Sequence, residues 1–529
     1  MRRPSVPLKL FWGAFLALVF WLRWGDAFGD EGMRNVLTFM STAVCLAVSW
    51  IWLLLRAGLA QPARLKVLWI PPAVLVLFVA LVRVDGFSGA MIPSLSWRAA
   101  QPATPRTGHI PPSTDHGGMT EAGPNDFPGF LGLDRHARAD GTTLAPDWTS
   151  APPKLLWRHP VGLGWSGFAV VGDLAVTMEE RESSTGLYAY SLTGGEPLWA
   201  YTWPGRFDQS LAGPGPRCTP SIAAGRVLAQ DAHGFVVCVS AADGSLLWDY
   251  DLREAFGVSD DQERQNVLYG RSNSPLVTHD MVILPGGGEA TAKQVGLIAF
   301  DLTTGDVRWE SPARQQSYAS PTRATLAGVD QILTVNEGSL SGHDPENGMI
   351  LWEHPWPSSS SADSAASQAV PLGPDGVLIS KGYGMGAMRL ELSVADSGQL
   401  DATPLWHERR LLRTKLTNIV IHEGYAYGLS DGILECVDLA AGQRVWKGGR
   451  YGHGQVLGTG ELLLVQTEEG RVVLRAASPN AGPGSPASDL GSIDALDGKA
   501  WNNMALAGDV LLVRNAREAS AWRLPTSKD

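Results

Sequence analysis

Residues 297–309 read LIAFDLTTGDVRW: a short alternating strand, a turn at Gly305 and a second strand that ends in Trp309. The turn requires glycine because a tight hairpin needs a residue with positive φ. The tryptophan supplies a large apolar ring that suits packing between stacked sheets. This stretch therefore predicts a β-hairpin that belongs to a layered all-β fold.

The same pattern recurs along the chain, each time with a tryptophan four residues after the glycine. The clearest copies are LYAYSLTGGEPLW (187–199), VVCVSAADGSLLW (236–248), LSGHDPENGMILW (340–352) and LECVDLAAGQRVW (434–446). Successive tryptophans of this kind lie 40–61 residues apart, which is the period of one propeller blade. We assign a blade-docking role to Trp157, Trp199, Trp248, Trp309, Trp352, Trp406 and Trp446.

Two further strands fit between successive tryptophans, so each unit supplies four strands. The pattern predicts an all-β, eight-bladed β-propeller, with seven blades as the alternative. The fourth strand of one unit, near 489–498, lacks the tryptophan. The inner strands are expected to start near Gly167, Thr219, Ser274, Ser320, Gln368, Asn418, Gln455 and Asn502.

The segment KLLWRH (154–159) matches the last, tryptophan-bearing strand of a repeat, but the other strands of that repeat do not precede it. The last repeat (502–525) supplies only three strands. We therefore expect KLLWRH to be the fourth strand of that last blade, so that N-terminal and C-terminal strands pair and close the ring. Such pairing would remove two exposed sheet edges.

The first 98 residues have the composition of a membrane domain, with apolar stretches at about 8–22, 36–55 and 67–82. We expect three transmembrane helices, because the second stretch alone is long enough to cross a bilayer. Positive charges flank the first stretch and fill the loop between the second and third. The positive-inside rule then places the N-terminus in the cytoplasm and the propeller in the periplasm, anchored to a bacterial inner membrane.

Residues 99–125 are rich in Pro, Gly, Ser and Thr, which predicts an extended linker before a propeller domain at 126–529. After residue 98 the chain carries 32 Lys and Arg against 49 Asp and Glu. This acidic balance argues against nucleic acid as a partner. The four cysteines form no CxxC pair or zinc-like spacing, so no metal site and no disulfide framework are expected.

Loops that lead into inner strands, and turns between second and third strands, open on one face of a propeller. That face is expected to gather a rim of cations, namely Arg181, Arg217, Arg271, Lys381, Arg413, Lys415, Arg450 and Lys499. Polar groups at the mouth of a closed ring suit a small anionic ligand or an acidic stretch of a partner protein. The predicted ligand-binding residues are Arg217, Arg271, Asn273, Tyr318, Lys415, Asn418, His453, Trp501 and Asn502.

Arg217, Arg271 and Lys415 are the strongest candidates because each lies within four residues of an expected inner-strand start. Trp165 and Trp501 are placed to stack on a flat ligand. No GxSxG, HExxH or Walker motif occurs in the chain, so no catalytic residue is assigned.

The pattern A-x-D-x-x-T-G-x-x-x-W, matched by AFDLTTGDVRW (299–309), resembles the PQQ-like propeller repeat. That repeat occurs in quinoprotein dehydrogenases and in the propeller lipoprotein of the outer-membrane barrel-assembly machine. The resemblance covers about 154–525 and implies the fold. For function it implies either a binding or scaffolding module with an envelope protein partner, or a membrane-bound quinoprotein alcohol or sugar dehydrogenase that uses PQQ and calcium.

The dehydrogenase alternative requires a cofactor pocket. Many quinoprotein dehydrogenases hold PQQ between an adjacent Cys–Cys pair and a tryptophan, and this chain has no adjacent cysteines. No residue of that pocket can be carried over to this sequence one by one. We therefore expect a periplasmic binding or scaffolding module, with the dehydrogenase as the alternative.

Overall fold

The computed structural model describes residues 6–24, 30–56, 59–99, 121–289, 293–357 and 364–527. The chain divides into an N-terminal unit that ends at residue 104 and a C-terminal unit that begins at residue 105. Most of the predicted linker at 99–125 lies outside the described residues.

The N-terminal unit contains three helices, α1 (Val6–Trp24), α2 (Glu31–Arg56) and α3 (Gln61–Leu81). A hairpin of β1 (Val82–Phe87) and β2 (Pro93–Trp97) follows them. After Lys66 the side chains of α3 are all apolar, and no residue of the helix is buried. Pro71 and Pro72 lie inside α3 without ending it.

Two of these helices are long and apolar enough to cross a membrane among the described residues, over Glu31–Leu55 and Gln61–Leu81. The prediction of three spans is corrected to two candidates. The reason lies in α1, where Lys9 and Arg23 leave only 13 uncharged residues between them. That stretch is about 20 Å of helix, shorter than the hydrocarbon core of a bilayer at about 30 Å.

The C-terminal unit is an eight-bladed β-propeller, built in its described residues from eight four-stranded antiparallel sheets. Strand β3 (Lys154–Pro160) precedes the first blade. Blade 1 comprises β4 (Ala169–Val171), β5 (Leu174–Arg181), β6 (Ser184–Ser191) and β7 (Pro197–Pro204). A small hairpin follows, formed by β8 (Asp208–Gln209) and β9 (Gly213–Pro214).

Blade 2 comprises β10 (Ser221–Ala223), β11 (Arg226–Gln230), β12 (Phe235–Ser240) and β13 (Leu246–Asp251). Two short helices, α4 (Leu252–Phe256) and α5 (Asp260–Asn266), lead to the next blade. Blade 3 comprises β14 (Leu276–Val277), β15 (Met281–Gly288), β16 (Gln294–Asp301) and β17 (Val307–Glu310). Blade 4 comprises β18 (Thr322–Leu326), β19 (Val329–Val335), β20 (Ser339–His343) and β21 (Ile350–Pro355).

Blade 5 comprises β22 (Val370–Leu372), β23 (Gly376–Lys381), β24 (Gly386–Val394) and β25 (Leu400–Glu408). Blade 6 comprises β26 (Val420–His422), β27 (Tyr425–Ser430), β28 (Ile433–Asp438) and β29 (Gln443–Arg450). Blade 7 comprises β30 (Gln455–Thr459), β31 (Leu462–Gln466), β32 (Arg471–Ala476) and β33 (Ser492–Asp494). Blade 8 comprises β34 (Ala505–Ala507), β35 (Val510–Arg514), β36 (Glu518–Arg523) and β3.

The prediction of eight blades is confirmed, and the alternative of seven is wrong. Each inner strand starts within three residues of its predicted position. First strands of neighbouring blades contact one another, as β4 does with β10 and β34, so these strands line the central channel. The strand without a tryptophan, β33, takes the fourth place in blade 7.

Strand β3 pairs with β36 in antiparallel register, from Lys154 opposite Arg523 to Pro160 opposite Glu518. Arg158 adds a two-pronged ion pair with Glu518, at 2.9 Å through both Nε and Nη2. That this pairing holds the ring closed stays a prediction, which the first experiment below tests.

Neighbouring blades dock through the repeat tryptophans. The indole N–H of Trp248 donates to the Leu302 carbonyl of the next blade at 3.1 Å. Its ring covers Gly305, where a Cβ atom would lie 2.6 Å from the ring. The glycine therefore serves two needs, a φ of +76° and a bare surface for the ring. The same donation to the following blade is made by Trp157, Trp199, Trp309, Trp406 and Trp446.

Two junctions depart from this rule. Trp352 donates to Gln331 of its own blade, and Gly398 in the corresponding turn of blade 5 has no atom within 4 Å of a built Cβ. Between blades 7 and 8, the buried Trp148 packs in the core that contains Ile493, and its Cβ atom and backbone lie against Gly491. A tryptophan from before the first blade thus fills the gap left by the strand without one.

We expect Trp157→Ala to lower the free energy of unfolding by about 3–5 kcal/mol, because the last blade loses its docking ring and its hydrogen bond to blade 1. Thermal and urea unfolding of the full-length protein measure the effect. Leu155→Ala on the same strand is the control, since that side chain is 49% exposed. Equal stability of the two variants would contradict closure through β3.

We expect Gly305→Ala to destabilise the protein more than Gly398→Ala. Both glycines have a φ near +80°, so each alanine costs about 1–2 kcal/mol for the left-handed backbone. Only at Gly305 does the new methyl group also collide with a tryptophan, which adds about 1–3 kcal/mol of overpacking. Chemical denaturation of both variants gives the difference, and equal losses would show that the ring does not need a bare glycine.

Candidate functional site: the channel mouth

The central channel is occupied from one side by residues 127–138, which precede the first blade. Phe127 pairs with Val170 on the channel edge of β4, at 2.9 and 2.7 Å. The carbonyl of Pro128 accepts from Ile222 of blade 2, and Ala137 accepts from Gly458 of blade 7. The flanking Asp126 and Asp140 bind backbone N–H groups of turns between first and second strands. The segment therefore enters and leaves on the face that carries those turns.

Arg135 is the deepest polar group of this segment. Its guanidinium donates to the carbonyls of Ser274 and Pro275 at 3.0 and 2.8 Å. No carboxylate pairs with it among the described residues, and burial lowers its pKa to about 10. Residues 127–138 have no repeat or periodic pattern, so the sequence analysis did not predict that they lie in the channel. The opposite face of the propeller, where the inner strands begin, is called the mouth.

The predicted inner-strand starts form a hydrogen-bonded arc around the mouth. Backbone N–H groups of one blade donate to side-chain oxygens of the next. The pairs are Gly167 to Thr219 at 3.1 Å, Thr219 to Ser274 at 3.0 Å, Ser274 to Ser320 at 2.9 Å and Gln368 to Asn418 at 3.0 Å. Asn418, predicted as a ligand residue, thus has a structural partner in blade 5.

Two further predicted residues also bind loop carbonyls. The amide nitrogen of Asn273 donates to Ser317 and Ala319 of blade 4, at 3.0 and 2.7 Å. That of Asn502 donates to Ser166 of blade 1 at 2.8 Å. Their nitrogens therefore link blades.

Arg271 does not face the mouth. It is 1% exposed and forms an ion pair of 2.6 Å with Glu263 of α5. It also donates to the Gly286 carbonyl and to Gln316. Because this charge is neutralised inside the fold, Arg271 is left out of the binding site proposed below. The helical insertion that supplies Glu263 carries no repeat signature, so sequence reasoning could not anticipate the pair.

The mouth between blades 7, 8 and 1 holds an aromatic pair. The rings of Trp165 and Trp501 lie 5.1 Å apart, and both side chains are half-buried. The Lys499 ammonium lies 4.0 Å from the Trp501 ring centre and 5.1 Å from that of Trp165. Burial lowers the pKa of Lys499. This arrangement presents two flat apolar faces beside a cation, which suits an aromatic or anionic group of a ligand.

A carboxylate supports this pair from below. Glu468 accepts from the Trp501 indole at 2.9 Å and from the backbone of His453 at 3.1 Å. The His453 ring is buried, with Nδ1 3.7 Å from Glu468. Of the predicted residues, His453 and Trp501 are thus brought together, whereas Glu468 was not predicted. The sequence pattern did not single out Glu468, because it lies in a polar turn that is expected to be exposed to solvent.

Arg217 lies on the blade 2 side of the mouth. It donates to the carbonyls of Gly213 and Gly215 and lies 4.4 Å from the Phe207 ring centre. No carboxylate forms an ion pair with it among the described residues, and burial lowers its pKa to about 9. Gly213 also packs against Trp165, so Arg217 and the aromatic pair adjoin one another.

Tyr318 and Lys415 complete the predicted set. The Tyr318 hydroxyl accepts from the backbone N–H of Tyr269 at 3.3 Å, and burial raises its pKa. Lys415 is buried, with its ammonium 5.5 Å from the Tyr383 ring centre. The predicted cations therefore occupy different environments, and only Arg217 and Lys499 adjoin the aromatic pair.

The residues at the mouth do not fit PQQ with calcium. Calcium requires six to eight oxygen ligands, chiefly carboxylates. Glu179 is engaged by Arg181 and Tyr190, and Glu180 by Arg206. The one cluster of metal-ligand type among the described residues, His422 with Glu423 and Glu461, lies at turns on the opposite face.

Comparison with known proteins identifies the family. The family model described as outer membrane protein assembly factor BamB matches residues 183–448. The outer membrane protein assembly factor BamB of Shewanella oneidensis is 25% identical over 203 residues, which are 38% of this chain and 46% of that protein. The match thus spans less than half the length of that relative.

Solved structures show the same fold. BamB from Moraxella catarrhalis superposes with a TM-score of 0.50 at 13% identity, over 70% of this chain and 100% of that one. A europium-containing methanol dehydrogenase gives a TM-score of 0.57 at 13% identity, over 76% and 98%. A quinohemoprotein alcohol dehydrogenase from Comamonas testosteroni gives 0.52 at 12% identity, over 75% and 80%. The chain belongs to the PQQ-like β-propeller family whose model is described as outer membrane protein assembly factor BamB.

Proposed function

We propose that this propeller is a binding or scaffolding module that docks an envelope protein through the mouth of its channel. The observation that carries the proposal is the half-buried pair Trp165 and Trp501 with Lys499 against it. Tryptophan is enriched among the few residues that dominate binding energy at protein interfaces. Membership of a family described by an outer membrane assembly factor supports the same reading.

Charge adds specificity to this surface. The chain after residue 98 is strongly acidic, yet Arg217 and Lys499 lie beside the aromatic pair. Anionic groups of a partner would be attracted to this point and repelled by the rest of the propeller. Because residues 127–138 occupy the other end of the channel, a partner segment would enter from the mouth only.

We further propose that α2 and α3 anchor the module in an inner membrane, with the propeller in the periplasm. Both helices are long and apolar enough to span. Arg56 at the end of α2, and Arg64 and Lys66 in the first turns of α3, flank the loop between the two helices, which favours a cytoplasmic loop. With that loop inside, the chain after α3 lies outside, whether or not α1 also crosses.

The alternative, a membrane-bound quinoprotein alcohol or sugar dehydrogenase, is not favoured by any observation at the mouth. The dehydrogenases named above share the fold with this chain at 12–13% identity, and identities this low carry no chemistry.

We expect a photo-crosslinking amino acid at position 499 or 501 to trap a discrete envelope protein in intact cells. The same probe at Leu247, exposed on the outer strand of blade 2, should trap little or none of it. Trp165→Ala should weaken the crosslink from position 499 at least severalfold, because one wall of the aromatic pair is lost. Mass spectrometry of the adduct identifies the partner.

Two results would contradict this function. One is equal crosslinking from the mouth and from position 247. The other is dye reduction by the purified protein with alcohols or sugars that depends on added PQQ and calcium.

For the anchor, we expect a reporter that is active only outside the cytoplasm to be active when fused after Arg98. The same reporter fused after Gln61, the first residue of α3, should be silent. Activity of both fusions would show that the loop is exported and that the proposed topology is wrong.

A further inference from the structure

A second recess lies near the mouth, at the junction of blades 1 and 2. It is a half-open cleft of about 510 Å³. Its walls are the end of β7, the turn between β11 and β12, and the helices α4 and α5. Clefts of this size hold small ligands or a few residues of a peptide. None of the predicted site residues lines it.

Three carboxylates line the cleft, and the exposed one, Asp260, pairs with Arg253. The other two, Asp231 and Asp251, are occupied by the protein itself. Asp231 is 5% exposed and accepts from the Trp203 indole at 3.0 Å and from two backbone N–H groups. Asp251 caps α4 by accepting from the backbone of Arg253 and Glu254. Their charges are therefore directed into the fold and away from the cleft.

The cations of the cleft are less satisfied. Arg206 is 54% exposed and reaches the buried Glu180 only through its Nε atom, at 2.9 Å. Arg264 on α5 is exposed and has no ion-pair partner among the described residues. Arg253 uses its outer nitrogens on Asp251 and Asp260, while its buried Nε has no hydrogen-bond partner. Arg206 and Arg264 thus bring guanidinium groups to the cleft from two separate segments. The charge of Arg253 is already paired with aspartates.

The cleft also has an aromatic wall. Trp203 and Phe235 both line it, with ring centres 5.6 Å apart. His233 stands beside them, and its Nε2 atom lies 2.9 Å from the Arg206 carbonyl. A ligand with both carboxylates and an apolar or aromatic group would match this combination, because arginine grips carboxylates with parallel hydrogen bonds.

We propose that the cleft between blades 1 and 2 binds an acidic peptide segment of the protein partner. The inference rests on the proposed function and adds the chemistry of the partner. A segment with two or more carboxylates next to an aromatic side chain would pair with Arg206 and Arg264 and place its ring against Trp203.

The test uses the purified full-length protein in detergent and a fluorescent peptide of sequence EDFED. The control peptide is QNFQN, which keeps shape and ring but carries no charge. Fluorescence anisotropy should show binding of the acidic peptide that weakens as salt is raised, and no comparable binding of the control.

Arg264→Glu should weaken binding of the acidic peptide about tenfold, the effect of losing one charge-assisted hydrogen bond. Arg264→Lys should retain most of the affinity, since it keeps the charge. Arg471→Glu is the matched control, because Arg471 is also exposed and lies on blade 7. Because Arg264 is exposed on a short helix, we expect its substitution to leave folding intact. Thermal unfolding of each variant checks this.

Three outcomes would overturn the proposal: equal binding of both peptides, no effect of Arg264→Glu, or free citrate binding as tightly as the peptide. The last would assign the cleft to a small carboxylate. Crosslinking from position 499 is read separately. If the acidic peptide binds but no crosslink forms from position 499, the docking of a partner at the mouth is wrong. If the crosslink forms but the peptide does not bind, only the proposal for the cleft is wrong.

Discussion

The structure depends on one recurring contact, a tryptophan ring that lies on a bare glycine of the next blade while its indole N–H donates to a carbonyl there. Gly195, Gly244 and Gly305 each leave space that a Cβ atom, 2.6 Å from the ring, would fill. The contact joins shape, backbone conformation and a buried polar group, so it fixes both the spacing and the rotation between sheets. Repeating it around a ring leaves the inner strands facing a common axis.

The segment before the first blade completes this architecture in two ways. Trp148 occupies the junction where β33 brings no tryptophan of its own, and Gly491 lies against it. Residues 127–138 use the free edges of inner strands as hydrogen-bond partners, which satisfies backbone groups that would otherwise face an empty channel. The buried charge of Arg135 is held by two carbonyls. The aromatic pair and Lys499 lie at the other end of the inner strands, at the mouth.

The cations that the sequence analysis predicted on one rim differ in their burial and in their partners. Arg271 is drawn into an ion pair because α5 brings Glu263 to it, and Lys415 is covered beside Tyr383. Arg217 is held by carbonyls next to the aromatic pair, where desolvation lowers its pKa without a neutralising carboxylate. A single acidic surface thereby carries a few local points of positive charge, which suits selective docking of anionic groups.

The sequence by itself predicted eight blades, with seven as the alternative, and the strand order within each blade. It also predicted the six tryptophans that donate to the next blade, because local turn chemistry and a fixed period repeat in the units. It also placed the inner-strand starts, from Gly167 to Asn502, within three residues. Only the tertiary structure decided which polar residues form hydrogen bonds between blades, as Asn418 does, and which line a cleft, as Arg264 does. It likewise decided the fate of residues 127–138. Their partners lie on six different blades, and contacts between residues so far apart in the chain leave no local pattern to read.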